Sequence, residues 1–466
     1  MRRVFFNFAY ILLLILFLPY LFWTLLFRGK YRKGFGEKFC GNVPLCPRSE
    51  LETVLKIEQN MEQETERKRV WIHAVSVGEV NLAATILREF ERLYPDFDFV
   101  ISSTSRTGLE LARKKFPGRT VFYAPLDFSW AVKRAFARIQ PDFLVLVELE
   151  IWPNLILTAK KLNVPVIVMN GRLGEKSFRN YSRLKCIFRP ILRTLALVTA
   201  QDEASAERFR VLGVPADRVE NVGSIKYDGA QSDRNNEKTC RLAALWKVLP
   251  TDKIFLAGST QDPEESMAVE VFRRLSPTHP ELRLIIVPRH AERFAEVAKM
   301  LEKTEFPFQK RSKMGKNVIE TTLKTTSETV PESVPGKQSE NARCPILLVD
   351  TIGELGGWWG TSAVGFVGGS MGSRGGQNML EPAAFGTAVS FGPNTWNFRD
   401  IVQKLLAHDA AVVVHNTEEL TDFVRRCLED ADFSEKLGQR AADFVASQQG
   451  ALRKTFDCFA MKIKRK

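Results

Sequence analysis

Several places in the sequence set reactive side chains just after short apolar, β-branched runs. After VWIHAV (70–75) come Ser76, Val77, Gly78 and Glu79, where an amphipathic helical stretch begins. A carboxylate there can take the proton of an attacking hydroxyl. It can equally complement the positive end of its own helix. After FLVLV (143–147) come Glu148, Leu149, Glu150, Ile151, Trp152, Pro153 and Asn154. Alternation along an extended chain puts Glu148 and Glu150 on one side, and two acids ending a buried strand are costly unless paired or used. After LIIVP (284–288) come Arg289 and His290. A guanidinium makes paired bonds to phosphate, and His290 can donate to phosphate or ribose. After AVGFV (363–367) come Gly368, Gly369 and Ser370, then RGGQNMLEP (374–382). Glycines let backbone N–H groups approach a phosphate, and a following helix N-terminus favours negative charge. Glu381, one turn into that helix, can bind ribose hydroxyls. Gly258, Ser259 and Thr260 close another apolar run and offer amides and hydroxyls to a phosphate.

The elements that position these residues form two series. FVISST (99–104), PVIVM (165–169) and ALVTA (196–200) join VWIHAV and FLVLV in the first. IFLAG (254–258), LIIVP, ILLV (346–349), AVGFV, AVSF (388–391) and AVVV (411–414) form the second. Strands alternating with helical stretches imply parallel sheets covered on both faces. A polar gap near 228–239 separates the series, so two doubly wound domains are expected, at 70–230 and 245–450. Ligands of such sheets bind at the carboxyl ends of the strands, here across a cleft between the domains. Residues 309–343 lack aromatics and are rich in Thr, Ser, Lys, Glu and Pro, which predicts a disordered surface insertion.

The chain has 466 residues, 45% hydrophobic and 26% charged, enough for two cores and unlike a disordered, collagenous or coiled-coil chain. Val4 to Phe27 carries no charge and is long enough to cross a bilayer, so residues 1–30 read as a membrane anchor. Pro19 and the many aromatics leave an interfacial helix open. More basic residues follow the segment than precede it, which places the large remainder in the cytosol. Residues 31–69 read as a charged spacer and 451–466 as a basic tail. Of the net charge of +13, +6 lies in residues 1–38 and +5 in 453–466, which suits an anionic membrane surface better than nucleic acid. The seven cysteines are scattered without a CxxC pair, which argues against a zinc site. HExxH and GxxxxGK[ST] are absent.

Taken in order, SVGE (76–79), Thr107-Gly108, ELEIWPN (148–154), NGRL (170–173), GSIKYD (223–228), GST (258–260), VPRHAERF (287–294), DTIGEL (350–355) and GGQNMLEPAAFG (375–386) resemble the bacterial 3-deoxy-D-manno-octulosonic acid (Kdo) transferases. Gln377 stands where that family usually has His, and NGRL replaces the commoner NARL. The resemblance implies an α/β fold of the GT-B type with an N-terminal membrane helix. It implies transfer of Kdo from CMP-Kdo to the lipid A precursor on the cytosolic face of the inner membrane, without metal or cofactor. Carried over by position, Glu79 is the general base, and Glu148 and Lys226 stabilise the transition state. Pro288, Arg289, Ile352, Gly353, Glu354, Asn378, Met379, Leu380 and Glu381 hold CMP, beside the phosphate candidates Gly258, Ser259 and His290. The last helix should return to the N-terminal domain, bringing both basic ends to the membrane. A GT-B transferase using a UDP-sugar and an inactive membrane-anchored scaffold on the same fold are the competing expectations.

Overall fold

The computed structural model describes residues 6–12, 14–17, 34–46, 67–315 and 343–464. The chain divides into two units, Met1–Gly229 with Gln448–Lys466, and Ala230–Ser447.

The first unit is built on seven parallel strands: β1 (Arg69–His73), β2 (Asp98–Ser103), β3 (Thr120–Tyr123), β4 (Phe143–Val147), β5 (Val166–Gly171), β6 (Leu197–Ala200) and β7 (Val219–Asn221). Their order is β3-β2-β1-β4-β5-β6-β7. The central strands are apolar on both faces because helices cover both. Trp71 packs on one side with Phe122 and Phe136, and Val70 and Ile72 on the other with Phe90. The chain leaves β1 toward β2 and β3, then returns to place β4 on the other side of β1. That reversal opens a crevice beyond the carboxyl ends of β1 and β4, where open α/β sheets bind ligands.

The last helix returns to the first unit, as expected, and packs on the face opposite the described N-terminal residues. Described helical residues from 6 to 17 sit on the Trp71 side, with Phe6 in that core. The side-chain amide of Asn7 donates to Ser129 Oγ at 2.7 Å, and the Tyr10 hydroxyl donates to Asp127 at 2.8 Å. The segment 451–466, read from the sequence as a basic tail, carries the helix Ala451–Lys464. Its Phe456 and Phe459 meet Phe90 edge-on at 4.6 and 5.0 Å between ring centroids, in the Val70 and Ile72 core. It is therefore a core element of the first unit. Among the described residues no helix is long and apolar enough to cross a membrane. Residues 1–5, 13 and 18–30 of the expected anchor lie outside the described residues, as do 31–33 and 47–66 of the spacer.

The second unit is also a seven-stranded parallel sheet: β8 (Lys253–Thr260), β9 (Leu282–Pro288), β10 (Phe308–Lys310), β11 (Ile346–Leu348), β12 (Val364–Val367), β13 (Ala388–Phe391) and β14 (Val412–Val413). The order is β10-β11-β9-β8-β12-β13-β14, so the reversal falls between β8 and β12. The expected insertion begins later than its composition suggested. Gln309 and Lys310 pair with β11 in β10, and residues 316–342 lie outside the described residues.

Candidate active site

Glu79 sits at the first unit's reversal, in the first turn of the helix Val77–Leu93. Ser76 is the N-cap; its hydroxyl oxygen accepts the Glu79 N–H at 3.3 Å, and the hydroxyl donates to Glu79 Oε1 at 2.7 Å. Glu79 Oε2 accepts the Val75 N–H at 2.8 Å. The Val75 carbonyl in turn accepts the hydroxyls of Ser103 and Ser105 at 3.1 and 2.8 Å. Gly108 fits beneath it, because a Cβ there would meet Ser103 Oγ at 2.5 Å. The SVGE and Thr107-Gly108 motifs are thus one construction that fixes the Glu79 carboxylate. Burial raises the Glu79 pKa above the usual 4.5 against the pull of these hydrogen bonds, and the charge of Glu148 raises it further.

Glu148 ends β4 with φ +62°, a left-handed conformation that a non-glycine residue adopts only when its surroundings impose it. Its N–H donates to the Met169 carbonyl at 3.0 Å, and its carboxylate pairs with Lys226 at 2.7 Å. Lys226 is held from both sides. The Ile225 N–H donates to Asn170 Oδ1 at 2.9 Å, and Asp228 accepts the N–H groups of Gly450 and Leu452 at the start of the C-terminal helix. The predicted trio Glu79, Glu148 and Lys226 therefore comes together on one unit.

Two residues join it: Glu150, which the sequence set beside Glu148, and His73, which it did not single out. The left-handed turn at Glu148 ends the extended alternation expected to carry Glu150. Glu150 instead accepts the Trp152 indole N–H at 2.7 Å and lies 3.9 Å from His73 Nε2. Burial, then repulsion from Glu79 and Glu148, pushes Glu150 up to about 7, against the Trp152 bond. Burial pushes His73 down to about 4, so the imidazole is neutral at physiological pH. Trp71 Nε1 donates to Ser102 Oγ at 2.7 Å, and His73 Nδ1 meets the same hydroxyl at 2.9 Å. The signal for His73 was its place two residues after Trp71, on the same face of β1.

In the second unit, Arg289 and His290 stand exposed just past β9. The Arg289 N–H donates to the Thr260 carbonyl at 3.0 Å. Glu381 accepts the Asn378 side-chain amide at 3.1 Å; burial raises its pKa, and Lys238 and Arg289 oppose that rise. Lys238 also donates to the Gly353 carbonyl at 2.7 Å. Glu354 accepts Arg311 at 2.8 Å and the Thr351 hydroxyl at 2.7 Å. Ile352 is 83% exposed, whereas Pro288, Met379 and Leu380 are buried, so these three have only backbone to offer a ligand. Gly258 cannot carry a side chain, since its Cβ would meet Trp359 at 2.4 Å, and Ser259 adopts φ +56°.

One glycine stretch behaves differently from its sequence reading. The N–H groups of Gly369 and Ser370, expected to face a phosphate, donate together with that of Met371 to the carboxylate of Glu264 at 2.7 to 3.0 Å. Glu264 also accepts the Gln261 N–H at 2.9 Å. It is a buried clamp between the segments that follow β8 and β12, and its sequence signal, an acid at a helix start, is indistinguishable from a dipole partner. Among the described residues no group of His, Cys, Asp or Glu has the arrangement of a metal site.

Comparison with known proteins places this geometry in a family. A family model for 3-deoxy-D-manno-octulosonic-acid transferase (kdotransferase) matches residues 51–229. The chain is 26% identical over 451 residues to the 3-deoxy-D-manno-octulosonic acid transferase of Chlamydia trachomatis, covering 96% of this chain and 94% of that one. The solved structure of a UDP-N-acetylglucosamine 2-epimerase matches with TM-score 0.53 at 12% identity, over 86% of this chain and 98% of that one, a likeness of fold alone. The enzyme of the same transferase name from Haemophilus influenzae is 32% identical over 399 residues, 85% of this chain and 87% of its own. With that coverage and the nine motifs in order, the chain belongs to the 3-deoxy-D-manno-octulosonic acid transferases, a family of glycosyltransferases.

Proposed function

We propose that the protein transfers Kdo from CMP-Kdo to a hydroxyl of the lipid A precursor without a metal ion, at the cytosolic face of the inner membrane. The acceptor oxygen attacks the anomeric carbon, the bond from that carbon to the CMP phosphate oxygen breaks, and CMP leaves with the electron pair. The hydroxyl proton goes to Glu79. The observation that carries this reading is the fixed Glu79 carboxylate beside the Glu148–Lys226 pair, at the sheet reversal.

Each group has a task set by its chemistry. Burial of Glu79 makes it a stronger base than a solvated carboxylate. Glu148 and Lys226 meet the charge that separates as sugar and phosphate part. In the second unit, Arg289 is suited to the phosphate and the Asn378–Glu381 pair to ribose hydroxyls. The exposed apolar side chains of the N-terminal helix support membrane association.

The test is a donor panel. Full-length protein in detergent receives a tetraacylated lipid A precursor with CMP-Kdo or UDP-N-acetylglucosamine, with and without EDTA, and the lipid is weighed by mass spectrometry. A Kdo-sized increase with CMP-Kdo that survives EDTA is expected. Product from the UDP-sugar alone would reassign the donor, and loss of product in EDTA would remove the metal-free mechanism.

A further inference from the structure

An apolar cleft of about 240 Å³ opens in the first unit beside the N-terminal helix, lined by Tyr10, Leu14, Phe17, Leu126, Phe128 and Trp152, with Asp127. Its polar groups are already satisfied. The Asp127 carboxylate accepts the Tyr10 hydroxyl and the N–H groups of Asn154 and Leu155, each at 2.8 Å. A cleft with hydrocarbon and aromatic walls and no unmet hydrogen bond suits an alkyl chain, not a sugar or nucleotide. Trp152 connects it to the chemistry, because the residue lining the cleft also holds Glu150 through its indole N–H.

The surroundings fit an amphiphile. The helix that walls the cleft exposes Phe8 (68%), Ile15 (60%) and Leu16 (67%). Phe128 continues into an aromatic ladder, stacking on Trp130 at 4.6 Å and on Phe39 at 6.3 Å, and Phe39 stacks on Phe35 at 4.6 Å. Trp130 and Phe35 are exposed, the amphipathic rim expected at a lipid headgroup level. Lys38, on the same short helix as Phe35 and Phe39, is half-buried with its ammonium 4.2 Å from the Tyr123 ring centroid.

We propose that this cleft takes one fatty acyl chain of the lipid acceptor, and that seating the chain sets how the acceptor's hydroxyl is presented beyond Trp152. The inference rests on the lipid acceptor of the proposed function and adds where one chain goes.

Two readouts test it. Full-length protein in lipid nanodiscs is irradiated with a fatty acid bearing a mid-chain diazirine, and labelled peptides are mapped by mass spectrometry. Label is expected on residues 126–128, Trp152 or Leu14, and is expected to be competed by tetraacylated lipid A precursor. Leu14→Trp fills the cleft. It should lower the kcat/KM ratio of tetraacylated to deacylated acceptor by about tenfold, the equivalent of roughly two buried methylenes lost. Label confined to Phe8, Ile15 or Leu16, label that the precursor does not compete, or an unchanged ratio would overturn the proposal. The photolabel needs no turnover, so competed label in the cleft without Kdo transfer would count against the proposed donor and leave the acyl site standing.

Discussion

At Glu79 one carboxylate both completes a helix cap and is assigned a proton-transfer task, and the two roles separate by mutation. Ser76→Ala removes the cap hydroxyl but keeps the base, so it should cost about 1 kcal/mol of stability. It should also move the acid limb of the rate profile to higher pH, since that hydroxyl holds the Glu79 pKa down. Glu79→Gln keeps the shape but removes the base, and transfer should fall by about 10²–10⁴-fold with the KM for CMP-Kdo little changed. A drop in the Gln variant no larger than in the Ser76 variant would reduce Glu79 to a cap. The base must be ionised, so the rate should fall as pH drops through its raised pKa, with the limb above 4.5. Glu148→Gln removes a repulsive charge and should shift that limb to lower pH, measurable in single-turnover rates. Strand-end position pointed to Glu79 and Glu148, and the family resemblance pointed to Lys226. His73 and the direction of Glu150 were hidden, because they depend on a hydroxyl on the neighbouring strand and on a left-handed residue at Glu148.

Among the elements, the loops at the two sheet reversals are held by buried acids. Glu264 accepts four backbone N–H groups, so Glu264→Ala should cost more than about 2 kcal/mol through unsatisfied donors, read as a lowered Tm of the second unit. Asp127 ties the start of the helix Pro153–Lys161 to Tyr10, and burial raises its pKa to about 7. The folded state then keeps a proton that the unfolded chain releases above the usual 3.8. Stability from this group is therefore greatest below that value and falls as pH rises toward 7; Glu150 acts in the same direction. Tm measured at about pH 5 and about pH 8 should differ less in Asp127→Asn than in the parent. An undiminished difference would show that Asp127 is not the titrating group. The central strands were legible as apolar runs. TVFY of β3, VEN of β7 and FQK of β10 were not, since each lies at a sheet edge and carries too short an apolar pattern. Glu264 was illegible because its partners come from a distant segment.

For the whole molecule, the charge count located the basic ends but not what they pack on. The C-terminal helix closes the first unit's core with Phe456 and Phe459, and Asp228 of the GSIKYD motif caps it two residues after Lys226. Phe459→Ala should cost about 3–5 kcal/mol and loosen the segment that carries Lys226; a calorimetric scan would show it as an early transition. Retained stability after that change would mean the helix is an appendage. The central claim remains the transfer itself, with Glu79 as its base. The most direct measurement is the mass of a tetraacylated lipid A precursor after incubation with CMP-Kdo and either the parent protein or Glu79→Ala. The account predicts a Kdo-sized increase with the parent and almost none with the variant. An increase of the same rate in both would contradict it.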